Sequence, residues 1–234
     1  MIKSINVYEK LREYAVFDNN ILNYFLNKSR NYANLFNYRI KKNFKIFKIE
    51  KNKYTLYNDP FLIASRIIWP SYISCSSALS FYKMTDQVQH RIQVITVKNK
   101  SNIKFFNNAI DFIKIKNKNF FGFEKIKYNN FEIFIADKEK SLLDSALLKK
   151  MSFPELREIL NENIKKLNAG KIIKYLKKLD NSSLTKRFGF LLEKLGYNTY
   201  PKLKDKIDLT YTLLDYSKIN KGKKNKKWRL MMND

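Results

Sequence analysis

The spacing of apolar residues changes from a helical to an alternating period within the first sixty residues, and this change constrains the fold more than any other feature. Helical spacing over residues 4–14 predicts a short first helix. Asp18 is a favourable N-cap for a second helix, and Ser29 is one for a third helix after a turn at residues 27–28. The sequence therefore predicts three short helices, with a tight turn between the second and the third.

Beyond Lys42 the pattern is that of two short strands around a polar tip. Apolar β-formers alternate with polar residues on both sides of residues 50–53, which predicts an antiparallel hairpin. Three helices followed by a hairpin are the order of a winged helix-turn-helix, whose third helix enters the major groove of DNA. We predict this fold for residues 1–58, which end at the break Asn58-Asp59-Pro60.

The rest of the chain is predicted as two further regions, and the fold class is α+β. Residues 59–151 form a mixed unit with helices at 61–69 and 74–83, strands at 92–97, 110–115, 120–126 and 131–135, and a helix capped by Asp137. Residues 152–234 form a mostly helical region with helices near 153–167, 170–179 and 184–195. It ends in a short strand pair, 207–216 and 227–232, joined by a polar basic link.

The charge of the chain is strongly positive. Its 234 residues include 47 Lys and Arg against 21 Asp and Glu, for a net charge of +26. A compositional bias towards AT-rich codons would enrich Glu as much as Lys, and Glu is far scarcer. We therefore expect a polyanionic partner, most commonly nucleic acid. A single cysteine and the lack of a long apolar run predict a cytoplasmic protein with no membrane partner.

Candidate DNA-binding residues follow from the predicted third helix and wing. Arg and Asn side chains suit guanine and adenine edges, whereas lysines suit phosphates. A solvated helix face is the competing explanation, but no acidic residue lies between Ser29 and Ile49. The predicted set is Ser29, Arg30, Asn31, Asn34, Tyr38, Arg39, Lys41 and Lys42 on the helix, with Lys51, Asn52 and Lys53 on the wing.

Four segments, in order along the chain, resemble the AbiEi family of antitoxins from type IV abortive-infection toxin–antitoxin systems. They are Tyr72–Leu79 (YISCSSAL), Phe131–Asp144 (FEIFIADKEKSLLD), Lys186–Gly196 (KRFGFLLEKLG) and Trp228–Asn233 (WRLMMN). Glu139-Lys140 stands where the family often has Glu-Arg, the wing tip lacks a glycine that many members have, and residues 217–227 are unusually basic.

The resemblance implies a winged helix that represses its own operon, often by cooperative binding to inverted repeats. It also implies a C-terminal region that antagonises a nucleotidyltransferase-like toxin. Lys186 and Arg187 are then candidates for a surface that binds an acidic partner, although they also suit a solvated helix end. A stand-alone transcription factor and an RNA- or protein-binding module stay open as alternatives.

Enzyme motifs are missing from the sequence. The first 121 residues contain no glycine, which excludes a glycine-rich phosphate loop there. His90 is the only histidine and Cys75 the only cysteine, which are too few for a zinc site built from these ligands. Asp137, Glu139 and Asp144 follow a strand as in some nucleases, but a cap and a first-turn acid explain Asp137 and Glu139. We predict no catalytic residue, metal or cofactor.

The segment 218–229 stays open between two roles. Seven of its twelve residues are basic and none is acidic. It either adds affinity for DNA or RNA or is a solvated charge run.

Overall fold

The computed structural model describes residues 2–26, 32, 35–36, 45–86, 90–219 and 222–233, and its architecture is α+β as predicted. The described helices are α1 (Ile2–Leu11), α2 (Asn19–Leu26), α3 (Pro60–Ala64), α4 (Cys75–Phe81), α5 (Lys138–Leu147), α6 (Phe153–Asn163), α7 (Ala169–Leu179), α8 (Ser182–Lys194) and α9 (Tyr200–Leu203). The described strands are β1 (Phe47–Glu50), β2 (Lys53–Thr55), β3 (Ser71–Ile73), β4 (Arg91–Thr96), β5 (Ile103–Phe105), β6 (Asn108–Lys114), β7 (Phe123–Tyr128), β8 (Phe131–Ala136), β9 (Thr212–Leu213), β10 (Lys223–Asn225) and β11 (Leu230–Met232).

The chain divides into two compact units. The N-terminal unit comprises residues 1–71, 90–114 and 125–134, and the C-terminal unit comprises residues 72–89, 115–124 and 135–234. These units do not coincide with the predicted boundaries at 58/59 and 151/152. The difference arises because residues 59–151 do not form a unit of their own: successive stretches of that region belong to one unit or the other.

The N-terminal unit begins with α1 and α2, followed by the antiparallel hairpin of β1 and β2. Phe17, in the segment between the two helices, pairs with Tyr54 of β2 through N–H···O bonds of 2.9 and 2.8 Å. One apolar cluster joins these elements and consists of Val7, Leu11, Phe17, Leu22, Phe36 and Ile46. The hairpin predicted from the alternating pattern is therefore confirmed, and it shares a core with α1 and α2.

The N-terminal unit also contains α3 and a sheet. β6 pairs in parallel with β4, from Arg91↔Ala109 to Thr96↔Lys114, and antiparallel with β5. The strands predicted at 92–97 and 110–115 are confirmed as β4 and β6. The prediction lacked β5 because three residues are too few to show a period of two. The predicted helix 61–69 is shorter than expected and ends at Ala64.

Helices dominate the C-terminal unit, and side-chain caps mark where four of them begin. Asp137, Ser152, Asn168 and Asn181 each accept a hydrogen bond from the backbone N–H three residues later, at the starts of α5, α6, α7 and α8. These bonds satisfy amides that have no partner within the helix. The caps expected at Asp137 and Ser152 are confirmed.

The end of the chain differs from its prediction. The strand predicted at 207–216 is reduced to Thr212–Leu213, and part of the predicted polar link is the strand β10. β10 pairs antiparallel with β11, and β11 pairs in parallel with β9. Trp228 anchors this sheet, because it is fully buried and its Nε1 donates to Glu193 Oε2 at 2.7 Å. Tertiary burial of one aromatic ring thus orders a segment whose composition predicts a loop.

Gly189 of α8 lies directly against this ring, and we expect Gly189→Ala to destabilise the protein. A Cβ at position 189 would lie 2.1 Å from Trp228 Cζ3. Overpacking of a buried contact typically costs about 1–3 kcal/mol, which exceeds the gain in helix propensity. Denaturant unfolding measures the change. Gly170→Ala in α7 is the matched control and should cost less, since its added Cβ would lie 3.2 Å from Asn168 Oδ1, the end of a side chain that can shift. If both variants were as stable as the wild type, this packing would be incorrect.

Candidate nucleic-acid interface

The hairpin of β1 and β2 is the predicted wing, and its tip consists of Lys51 and Asn52, between paired strands. Asn52 has a φ of +60°, a conformation that Asn adopts more readily than most residues. Its Oδ1 accepts a hydrogen bond of 3.1 Å from the backbone N–H of Asn19, the first residue of α2. Asn52 therefore ties the wing to the second helix, while the side chain of Lys51 is exposed.

Lys53 lies just beyond the tip and contacts the protein itself. Its Nζ donates to the carbonyl oxygen of Ile67 at 2.5 Å and lies 3.0 Å from Glu50 Oε1. Glu50 also accepts a hydrogen bond from Lys100. Burial raises the pKa of the Glu50 carboxyl, but the hydrogen bonds from Lys100 and Lys53 outweigh burial and hold this pKa below its usual value. Glu50 is thus an anion that locally offsets the charge of Lys53.

Aromatic contacts hold both edges of the hairpin. Tyr54 lies with its ring centroid 6.0 Å from that of Phe17. On the other strand, the ring of Phe47 contacts Phe105 and Phe106 edge-on, at centroid distances of 6.4 and 5.0 Å. The wing is accordingly a fixed part of the N-terminal unit and presents its tip from a defined position.

Most of the predicted third helix lies outside the described residues. The helical candidates Ser29, Arg30, Asn31, Asn34, Tyr38, Arg39, Lys41 and Lys42 all fall there and stay predictions. Three residues of its predicted apolar face are described and have helical backbone. Phe36 is buried in the cluster shared with α1 and α2, and the ring of Tyr32 stacks on it at 6.3 Å. Tyr32 and Leu35 are partly exposed.

Lys186 and Arg187 have structural contacts in the C-terminal unit. Lys186 is fully buried, and its Nζ donates to Asp208 Oδ1 and to the carbonyl oxygen of Thr210, both at 2.6 Å. The hypothesis that Lys186 belongs to a partner-binding surface is therefore wrong, because no part of its side chain is accessible. Arg187 is half-buried and donates to the carbonyl oxygens of Leu213 and Leu214. A partner role for Arg187 stays a prediction.

The acidic residues considered for a nuclease also have contacts within this unit. Asp137 accepts hydrogen bonds from the backbone N–H of Lys140 at 2.8 Å and from the hydroxyl of Tyr175 at 2.7 Å. Glu139 accepts one from the backbone N–H of Asn168 and lies 3.3 Å from Lys171. Among the described residues, no group of three or more acidic, histidine or cysteine side chains is placed to hold a metal ion.

The third of these acids, Asp144, forms a buried ion pair with Lys140 one helical turn away. Asp144 also accepts hydrogen bonds from the hydroxyls of Ser74 at 2.8 Å and Tyr72 at 3.2 Å. The Nζ of Lys140 lies 5.0 Å from the ring centroid of Phe121. Burial raises the pKa of Asp144, an effect that the charge of Lys140 and these hydrogen bonds oppose. This cluster is a polar centre of the C-terminal core.

The basic segment 218–229 is folded over its described part. Lys223 and Lys224 lie on β10 and are exposed, as are Lys226 and Lys227 in the turn that follows. Lys224 and Arg229 lie 5.1 and 5.6 Å from the ring centroid of Tyr211. The segment presents its cations from an ordered hairpin, and both roles considered from the sequence remain open.

The single cysteine and the single histidine of the chain lie outside the candidate interface. Cys75 is fully buried, and burial raises the pKa of its thiol. His90 is exposed, and its carbonyl oxygen accepts a hydrogen bond from Ala109. Over the part of the chain that is described, no helix is long and apolar enough to cross a membrane.

Comparison with known proteins yields no identification: no family model matches the chain, and no curated protein matches its sequence significantly. The resemblance to AbiEi antitoxins therefore stays a prediction.

Three residues of this region are not predicted by the sequence pattern. Phe17, which joins the wing to the helices, has a signal in the apolar run Ala15-Val16-Phe17 after the first helix. No sequence pattern marks Lys100 or Phe106, because both approach the wing only through tertiary folding.

The buried ion pair predicts a stability difference. We expect Lys140→Ala to lower the free energy of unfolding by about 3–5 kcal/mol, because it leaves Asp144 buried without its cation. The double variant Lys140→Met/Asp144→Leu should recover part of this loss, since it removes both charges and keeps apolar volume, while the buried hydroxyls of Ser74 and Tyr72 lose their acceptor. Chemical denaturation tests both variants. A Lys140→Ala protein as stable as the wild type would contradict the paired arrangement.

Proposed function

We propose that this protein is a sequence-specific regulator that binds double-stranded DNA through its N-terminal unit. One observation carries the proposal: a two-stranded wing pairs with the segment between two short helices and shares a core with them. A wing held in this way has a fixed position relative to the helices. Fixed spacing is what a winged helix-turn-helix needs in order to contact a groove and the backbone together.

Charge supports the same proposal. Lys45 just before β1, Lys48 on β1 and Lys51 at the tip are exposed, and the chain carries a net charge of +26. The acid of the hairpin, Glu50, is already paired with lysines. Within the described residues these three lysines form no ion pair, so a polyanion meets their positive charge, which suits phosphate contacts.

The decisive measurement is the ratio of affinities for the DNA upstream of the gene and for random duplex at physiological salt. Specific regulators prefer their site by about 10³-fold or more. We expect a ratio of that order for one short duplex tiled from the upstream region. A ratio near one would contradict the proposal, because a basic protein binds any duplex at low salt.

Base recognition is assigned to the predicted third helix. We expect the double variant Asn34→Ala/Arg39→Ala to lose most of its preference for the upstream duplex and to keep its affinity for random duplex within a fewfold. Each bidentate contact to a base edge contributes about 1–3 kcal/mol of discrimination. Competition binding measures the ratio, and thermal unfolding verifies the fold. A folded double variant with full preference would exclude this helix as the reader.

Phosphate contact is assigned to the wing tip. We expect Lys51→Ala to weaken binding to upstream and random duplexes equally and to reduce the slope of log K against log salt by about 0.9. Lys174→Ala is the matched control, because it removes one exposed lysine from α7 of the C-terminal unit. If the two variants had the same slope, Lys51 would not contact phosphate.

The AbiEi resemblance supports a more specific role, which we propose on that ground alone. The protein would act in the cytoplasm, repress its own operon, and antagonise a nucleotidyltransferase-like toxin encoded beside it. Co-expression with the neighbouring gene product tests the antitoxin role, and growth arrest that persists would exclude it. Without such a gene, the protein is a stand-alone regulator. Preference for structured RNA over duplex DNA in competition would instead favour an RNA-binding module.

A further inference from the structure

The turn between β5 and β6 contains a residue that the turn itself does not require. Phe106 and Asn107 form a two-residue connection between paired residues Phe105 and Asn108. Phe106 has a φ of +50°, in the left-handed region that favours glycine and, less strongly, asparagine. For a bulky aromatic residue this conformation is strained, at a cost of about 1–3 kcal/mol. Folding alone favours a smaller residue here.

The ring of Phe106 is also half exposed. Its exposed fraction is 52%, whereas the neighbouring Phe105 is buried at 3%. The covered side of the ring contacts Phe47 at a centroid distance of 5.0 Å and Phe105 at 4.6 Å, both edge-on. These contacts hold the ring in one direction beside the first strand of the wing. The outer side of the ring is left to solvent.

Exposed lysines lie close in sequence to this ring and to Phe47, the residue of β1 that it contacts. Lys45 and Lys48 lie within two residues of Phe47, Lys104 lies two residues before Phe106, and all three are exposed. The nearby acids are engaged elsewhere, Glu50 with Lys53 and Lys100, and Asp111 with Arg91. An exposed ring with exposed lysines close to it along both strands is complementary to a nucleic acid, which offers phosphates to the cations and stacked bases to the ring.

We propose that Phe106 is an apolar wedge that enters a groove of duplex DNA beside the wing and partly unstacks one base step. The proposal rests on the proposed DNA-binding function and adds a second contact element to it. Apolar side chains inserted between base pairs bend the duplex, and the bent duplex contacts more of the protein surface. The strained backbone and the exposed ring are then both explained, because the turn holds the ring outward.

The test uses the 234-residue chain and the tightest-binding upstream duplex. Phe106→Asn removes the ring and retains a residue that accepts positive φ, and Phe106→Leu retains an apolar wedge. Trp69→Ala is the matched control, because Trp69 is another exposed aromatic residue of the N-terminal unit and its ring packs on Phe134.

We expect Phe106→Asn to weaken binding at least about fivefold, because the apolar contact with the unstacked base step is lost. Phe106→Leu and Trp69→Ala should stay within about twofold of the wild type.

A second readout detects unstacking directly. The adenine analogue 2-aminopurine, placed in turn at each adenine of the duplex, becomes more fluorescent when its stacking is lost. We expect the wild type to raise the signal at one or two adjacent positions, and Phe106→Asn to abolish this rise. Thermal unfolding verifies that Phe106→Asn is folded, since the contact between Phe47 and Phe105 does not involve the substituted side chain. A merely structural ring would leave the fluorescence pattern unchanged in this folded variant.

The outcomes separate this inference from the proposed function. If Phe106→Asn bound like Trp69→Ala with the same fluorescence pattern, while Asn34→Ala/Arg39→Ala lost its preference, the wedge would be excluded and the regulator would stand. If the wild type showed no preference for upstream DNA, the proposed function and the wedge that rests on it would both be overturned.

Discussion

Two backbone hydrogen bonds between Phe17 and Tyr54 join the segment between the first helices to the wing. An isolated two-stranded hairpin is at best marginally stable in water, because it buries too little apolar surface. Here the pairing of Phe17 with Tyr54 adds a third backbone segment beside the two strands of the hairpin. The buried ring of Phe17 also packs in the core of α1 and α2. The position of the wing, and every contact proposed for its tip, depends on this connection.

The opposite edge of the wing depends on the sheet of the same unit. Phe47 packs on the β5–β6 turn, and the Glu50 carboxylate binds Lys53 and Lys100. The ion pair with Glu50 engages Lys53, which the sequence alone assigns to a DNA partner. These contacts leave Lys51 as the exposed lysine of the tip, and they bring the ring of Phe106 beside the wing.

The segments that carry the AbiEi resemblance contribute mainly to the interior of the C-terminal unit. Lys140 and Asp144 form its buried ion pair, and Lys186 is fully buried against Asp208 and Thr210. Gly189 lies against the buried ring of Trp228. A buried cation or a glycine in tight contact tolerates few replacements, because each alternative leaves an unpaired charge or a steric clash. The resemblance therefore bears on the fold of this unit more directly than on a partner surface.

The sequence by itself determined the features that depend on neighbours along the chain. These are the N-caps at Asp137 and Ser152, the hairpin around residues 51–52, the strands β4 and β6, and the α+β class. Local hydrogen bonds and the two apolar periods specify such elements without reference to distant residues. Tertiary structure alone decided that the middle region is divided between two units, that Lys186 is buried, and that β10 is ordered by Trp228. Contacts between residues distant in sequence determine which charged side chains are exposed, and no local pattern carries that information.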